Sequence, residues 1–227
     1  MHILLAAATT FEIQPTIDAL DKTGNSEAKP QVLITGVGGI ATTWALMRQI
    51  GSRRPDLVIQ AGIAGCFTGH PPGAVFVVVD DRPADMGVWE KGNFHTPFDM
   101  GLADADAPPF SGGRLINPYG RLLAYTGAPS ATGLTVNEIT TDPARIAWYQ
   151  QNTNAVVESM EGAPMHYVCL REGIPFLQLR SVSNAVGVRN KTKWDIGTAI
   201  ARLNERLIRI VENLGSAGTS ILEPTKH

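Results

Sequence analysis

Cysteine is scarce in this 227-residue chain: only Cys66 and Cys169 occur, too few for a disulfide framework. Neither stands beside a histidine in a recognisable catalytic pattern, so both are expected as buried reduced thiols. The five histidines (His2, His70, His95, His166, His227) lack metal-ligand spacing, and no metal site is expected. No apolar run approaches the roughly 20 residues that span a bilayer. A large charge of one sign is also missing: the net charge is −2 and the pI near 6.2. That balance argues against nucleic acid and anionic membrane as partners. The start, MHILLAAATTFEI, is apolar but lacks a basic leader region, so no secretory signal is expected and the compartment expected is the cytoplasm.

What is present fits a globular protein. Hydrophobic residues make up 44% of the chain and charged residues 18%. The length suits one domain over 1–227 with a full core, of which about 1–214 carries periodic structure and 215–227 reads as a loosely ordered tail. No repeat and no internal domain boundary is evident.

Ile3–Ala8 reads as a short buried strand, and Phe11, Ile13, Ile17 and Leu20 then recur near the helical period. Pro15 is tolerable there only in the first turn. Glu12 thus lies just past the first strand, where a carboxylate also faces the positive end of the helix dipole. Val32–Thr35 is a second strand, running into Gly36-Val37-Gly38-Gly39-Ile40-Ala41. That segment matches a dinucleotide-binding fingerprint, which would make the protein an oxidoreductase. The acidic residue that should end the next strand is misplaced, however, since Asp56 begins it. The third strand, Leu57–Gln60, opens into a Gly-rich turn, Ala61–Gly65. A fourth, Ala74–Val79, is closed by Asp80-Asp81.

Residues 82–117 show no periodicity and are rich in Gly, Pro and Asp; so long a segment suits a lid or a subunit contact. Its Trp89, Phe94, Phe98, Met100 and Phe110 need covering. A short helix at 118–125 and a strand at 130–136 follow, then a helix at 144–151 with Asp142 as its N-cap. Near the end, Ile196, Ala199, Ile200, Leu203, Leu207, Ile210, Val211 and Leu214 form one apolar stripe on a long helix stopped by Gly215.

The stretch 156–187 is the most informative. An apolar strand ends in Glu158-Ser159-Met160-Glu161. A helix follows, with Pro164 near its start and Gly173 at its end. The buried strand Ile174–Leu179 then opens into a polar turn, Ser181–Asn184. Read as a strand–helix–strand unit, it implies parallel strands, with Glu161 and Asn184 both past strand ends. Glu12, Gly62–Gly65, Val136, Glu161 and Asn184 then share one sheet edge, where ligands of open α/β sheets bind. By themselves, these residues support a small-molecule enzyme of the α/β class.

Ser159-Met160-Glu161-Gly162-Ala163 and Arg180-Ser181-Val182-Ser183-Asn184 resemble the Met-Glu and Arg-x-x-Ser-Asp/Asn motifs of the purine nucleoside phosphorylase/nucleosidase superfamily. Glu12 and the two glycine-rich segments resemble its N-terminal half, so the resemblance covers about residues 1–214. The run Glu158–Trp194 is most similar to the members that hydrolyse futalosine in the alternative route to menaquinone.

The resemblance implies a mixed central sheet flanked by helices, no cofactor, and a homo-oligomer, at least a dimer. It implies hydrolysis of the N-ribosidic bond of futalosine, releasing hypoxanthine. Glu12 is implied to activate water, Glu161 to bind the ribose as it becomes cationic, and Met160 to pack on the sugar. Thr135 and Val136 would border the purine with their backbone. Ile63, Ala64 and Gly65 would line the site. Val37, Trp194, Arg189 and Lys191, with Lys193 nearby, would serve the 5′ group. Asn184 stands where adenine-cleaving members carry Asp; an amide suits a 6-oxopurine and supplies no proton readily. The alternatives are a methylthioadenosine/S-adenosylhomocysteine-type nucleosidase and, from other classes, the oxidoreductase above or a silent nucleoside binder. The phosphorylases of the superfamily hold phosphate with arginines; Gln60-Ala61-Gly62-Ile63-Ala64 contains none and Glu12 follows the first strand, so the resemblance favours hydrolysis over phosphorolysis.

Overall fold

The computed structural model describes residues 1–22, 29–190, 192, 194–214 and 218–225. Among the described residues, the strands and α-helices in chain order are β1 (Ile3–Ala7), α1 (Thr10–Lys22), β2 (Gln31–Ile34), α2 (Gly39–Ser52), β3 (Leu57–Cys66), β4 (Val75–Asp81), β5 (Val88–Glu90) and β6 (Asn93–His95), then β7 (Leu115–Ile116), α3 (Gly120–Tyr125), β8 (Ser130–Thr135), α4 (Pro143–Asn152), β9 (Val157–Ser159), α5 (Gly162–Glu172), β10 (Phe176–Ala185) and α6 (Ile196–Leu214).

The main sheet is mixed. β2, β1, β3 and β10 run parallel to one another, and β4, β8 and β9 form a second parallel group. The groups join through two antiparallel contacts, β10 on β4 and β9 on β3. Because β10 also pairs with β3, the strands β3-β10-β4-β8-β9 close on themselves, leaving β1 and β2 as an open wing. Closure removes sheet edges where the apolar strands would otherwise be open to other chains.

β1 reads ILLAA and is buried at every position, as expected of a parallel strand covered on both faces. The stripe of α6 packs onto this sheet: Leu203, Leu207 and Ile210 join Ile59, Leu177 and Leu179 in the main core. Asp142 caps α4 as predicted, its Oδ1 accepting from the Ala144 and Arg145 amides. Gly173 ends α5 in the left-handed region, φ 60°. No helix of the described residues is long and apolar enough to cross a membrane.

Four expectations need correction. β9 and β10 run in opposite directions, since α5 carries the chain across the ring rather than back along one sheet. Ala61–Gly65 is no turn: β3 continues to Cys66, because both its neighbours, β10 and β9, extend the ladder past Gln60. Asn184 is not past a strand end either; it sits inside β10, where the register slips between Val182 and Asn184. Pro15 lies in the second turn of α1, and α6 compensates for it as described below.

The aperiodic segment folds onto α4 and α5. Trp89 and Phe94 of the β5–β6 hairpin stack edgewise on Trp148, and Phe98, Phe110 and Tyr167 form a second aromatic group. Met100 remains exposed. Gly215 lies outside the described residues, but in the stretch expected as a tail a 3-10 turn, Thr219–Leu222, lays Ile221 and Leu222 on the main core.

Candidate active site

The reversal of β9 brings the site together. Glu158 pairs with Gly65 across the antiparallel contact, so the chain then runs back beside β3 towards Gly62. Glu161 ends that run as the N-cap residue of α5. Its Oε1 accepts the Gly38 amide at 3.0 Å, and its Oε2 lies 3.6 Å from Arg180 Nη2. The glycine segment that resembles a dinucleotide loop therefore offers its amide to a carboxylate of the same chain. Arg180 is 1% exposed, and Gln60 holds it: Oε1 accepts from Arg180 Nη2 at 2.9 Å while Nε2 donates to the Glu161 carbonyl at 3.1 Å.

Glu12 reaches the same place from α1. Its Oε2 accepts from the Thr9 amide and hydroxyl, each at 3.1 Å, and its Oε1 accepts from the Ile63 amide at 3.1 Å. The contact with Thr9 is the Glu half of a capping box, so the helix-start role and the role in the site coexist. Gly62 lets this happen: a Cβ there would collide with the Arg180 guanidinium and stand 2.9 Å from Glu12 Oε1. The α1 backbone needs help near Pro15. Asn204 of α6 supplies it, donating from Nδ2 to the Glu12 carbonyl (2.8 Å) and accepting at Oδ1 from the Thr16 amide (3.0 Å). A regular helix joins those two groups directly.

The register slip in β10 turns Asn184 towards the same cavity. Ser183 Oγ donates to Asn184 Oδ1 at 2.7 Å, and Asn184 Nδ2 donates to the Ala185 carbonyl at 2.9 Å. The second N–H of the amide is left for a ligand.

These groups border a cavity of about 390 Å³, within the usual size for a small-molecule pocket. Glu12, Glu161, Asn184, Met160, Val136, Ile63, Ala64, Gly65, Val37 and Trp194 all line it. Thr135 does not; it is buried behind the wall, bonded to Asp81 and to the Ala163 amide. Arg189 stands exposed at the rim, its guanidinium 5.9 Å from the Trp194 ring. Lys191 and Lys193 lie outside the described residues. The structure adds wall residues that sequence reasoning missed, chiefly Phe11, Ile139, Val186 and Val188. Phe11 fits the helical stripe yet is exposed, which no periodicity reveals. Glu158 also borders the cavity, but its Oε1 turns to the Thr140 amide at 3.2 Å and burial raises its pKa. A larger hollow of about 570 Å³ beside Arg82, His95 and Trp148 contains none of the predicted site residues.

No described residue lining the 390 Å³ cavity is cationic. The Ile63 amide is already taken by Glu12. The cavity therefore offers carboxylates, one amide and apolar walls: it suits a neutral sugar and base attacked by water, and it repels a phosphate ion.

A family profile described as the phosphorylase superfamily matches residues 22–215. Futalosine hydrolase of Streptomyces coelicolor is 32% identical over 95% of this chain and 97% of its own length. A 5′-methylthioadenosine/S-adenosylhomocysteine nucleosidase of Shewanella sp. is 30% identical over 79% of each chain. Among solved structures, native futalosine hydrolase of Helicobacter pylori superposes with a TM-score of 0.79, covering 94% of this chain and 98% of that one. At 15% identity that likeness shows the fold alone.

Proposed function

The chain belongs to the phosphorylase superfamily, and we propose that it hydrolyses the N-ribosidic bond of futalosine, releasing hypoxanthine and dehypoxanthine futalosine in the menaquinone route that uses this nucleoside. The observation that carries this reading is one cavity holding Glu12, Glu161 and Asn184 with no cation among its described lining residues.

Cleavage of the C1′–N9 bond builds positive charge on the ribose. Glu161, fixed by the Gly38 amide and Arg180, accepts hydrogen bonds from the ribose hydroxyls, and its charge strengthens them as the sugar becomes cationic. Glu12 has three donors on its two oxygens and acceptor capacity to spare for the attacking water, whose proton it takes. The free N–H of Asn184 donates to O6 or N7 of the 6-oxopurine as negative charge builds on the leaving base. Met160 packs on the sugar, and Phe11, Val37 and Trp194 provide apolar cover for the 5′ aryl ketone. Arg189, on the Trp194 ring, is the candidate cation for its carboxylate.

A homo-oligomer fits the surface of α2. Ile40, Trp44 and Met47 follow at i, i+4 and i+7, and are 89%, 62% and 44% exposed. In a homo-oligomer a second copy would cover that stripe. The reading also expects a cytoplasmic enzyme, since both cysteines are free thiols.

The test is chromatography of the protein incubated with futalosine, inosine and methylthioadenosine, with and without phosphate. Hypoxanthine from futalosine alone, at a rate indifferent to phosphate, is expected. Adenine release from methylthioadenosine would favour the nucleosidase reading that the Shewanella relative suggests. Phosphate-dependent cleavage would remove the water role of Glu12.

A further inference from the structure

Glu161 occupies the N-cap of α5, yet its side chain makes no capping bond. A side-chain oxygen at the N-cap ordinarily accepts from the amide of the second or third helical residue. Those residues are Ala163 and Pro164. Proline has no amide hydrogen, so the third position offers nothing. The second is taken from outside the helix: the Ala163 amide donates to Thr135 Oγ1 at 2.7 Å.

Thr135 can accept there because its own proton is committed elsewhere. A hydroxyl has one hydrogen and two acceptor lone pairs. The Thr135 hydrogen goes to Asp81 Oδ1 at 2.8 Å, which leaves the lone pairs facing α5. Asp81 is fully buried: its Oδ1 also accepts from the Arg82 amide (2.7 Å), and its Oδ2 accepts from Gln178 Nε2 (3.1 Å). The backbone is shaped around it, since a Cβ on Gly162 would fall on the Asp81 carboxylate and the Gln178 amide. Burial lifts the Asp81 pKa to about 6, so the carboxylate is ionised and accepting at neutral pH.

We infer that Thr135, oriented by Asp81 and acting together with Pro164, is a positioning residue that caps α5 in place of Glu161 and so releases the Glu161 carboxylate to the cavity. The released carboxylate takes the Gly38 amide and the Arg180 guanidinium instead. This deepens the proposed function, resting on its assignment of Glu161 to the ribose.

Two variants and two readouts test it. In Thr135→Val the Ala163 amide loses its acceptor, and the Glu161 carboxylate is expected to fold back onto it, abandoning Gly38. Turnover of futalosine should fall about 10²-fold, the scale of an ångström-sized misplacement in a site, and Thr135→Ser should restore it. Pro164→Ala returns an amide to the third position; turnover should fall about tenfold while Tm holds or rises, as a cap is gained. Crystal structures of both variants read the Glu161 carboxylate directly. A carboxylate still on the Gly38 amide in both, or turnover within twofold of wild type at full folding, would overturn the inference. If the wild type hydrolyses no nucleoside, the reading of the reaction fails, and the Glu161 orientation in the two crystals still decides this one.

Discussion

Ser183 fixes the orientation of Asn184: its hydroxyl donates to Asn184 Oδ1 at 2.7 Å, so the amide end and not the carbonyl end of that side chain is left to a bound base. Asn184→Asp replaces the free N–H by a carboxylate oxygen facing O6. That should lower kcat/KM for futalosine about 10²-fold, the effect of about 3 kcal/mol, and introduce measurable cleavage of adenine nucleosides. Ser183→Ala frees the amide to turn over and should cost about tenfold. Unchanged base preference in Asn184→Asp would remove Asn184 from base recognition.

Glu12→Gln should cut kcat by about 10²- to 10⁴-fold, the usual worth of a general base, with little change in KM. One oxygen cannot accept from both Thr9 and Ile63, so one bond is lost as well. The stability cost is about 1 kcal/mol, or about 2–4 °C in Tm. Steady-state kinetics beside thermal melts separate the two effects; a kcat near wild type would send the water elsewhere.

Asn204→Ala tests how α1 is held. It strands the Glu12 carbonyl and the Thr16 amide and hydroxyl in the core. A loss of about 2–3 kcal/mol, seen as a Tm lower by about 5–10 °C, is expected, with reduced turnover because Glu12 rides on that helix. A lower Tm with wild-type kcat would show that the first turn of α1 keeps its place without Asn204.

Two fully buried groups set opposing acid dependences. Burial raises Asp81 from 3.8 to about 6, so the folded state holds its proton more tightly than the unfolded chain. That contribution favours folding below pH 3.8 and is lost as pH rises to about 6. Burial lowers His166 from 6.5 to about 4, so its penalty falls on the acid side, and stability is regained as pH rises through the same window. Each is worth about 3 kcal/mol. Denaturant titrations between pH 4 and 6.5 should show opposed trends once one group is removed: stability rising with pH in Asp81→Asn, falling in His166→Phe. Parallel curves for wild type and both variants would exclude these groups.

Arg189→Ala should raise KM for futalosine while leaving kcat alone, if its guanidinium over Trp194 meets the 5′ carboxylate. Equal KM values would pass that role to another cation.

The α/β class, the long helix α6, the cap of α4 and the stop of α5 at Gly173 were legible in the chain, because each depends on residues within a few positions of one another. So was the candidacy of Glu12, Glu161 and Asn184, whose motifs are local. Strand direction was not. β9 and β10 flank one helix and read as a parallel pair, but whether α5 returns the chain along the sheet or across it depends on β3 and β8, remote in sequence.

The same distinction governs the site. Local sequence singled out the residues proposed to bear the chemistry: two carboxylates, an amide, and glycines that admit close approach. Only the tertiary structure decided how each is aimed. Asn204 carries α1 past Pro15, β9 turns back to set Glu161 beside Gly38 and Arg180, and Thr135 takes the amide that Glu161 would otherwise cap. Each of these is a hydrogen bond or strand pairing between segments far apart in the chain, and its energy exists only once the core has brought them together.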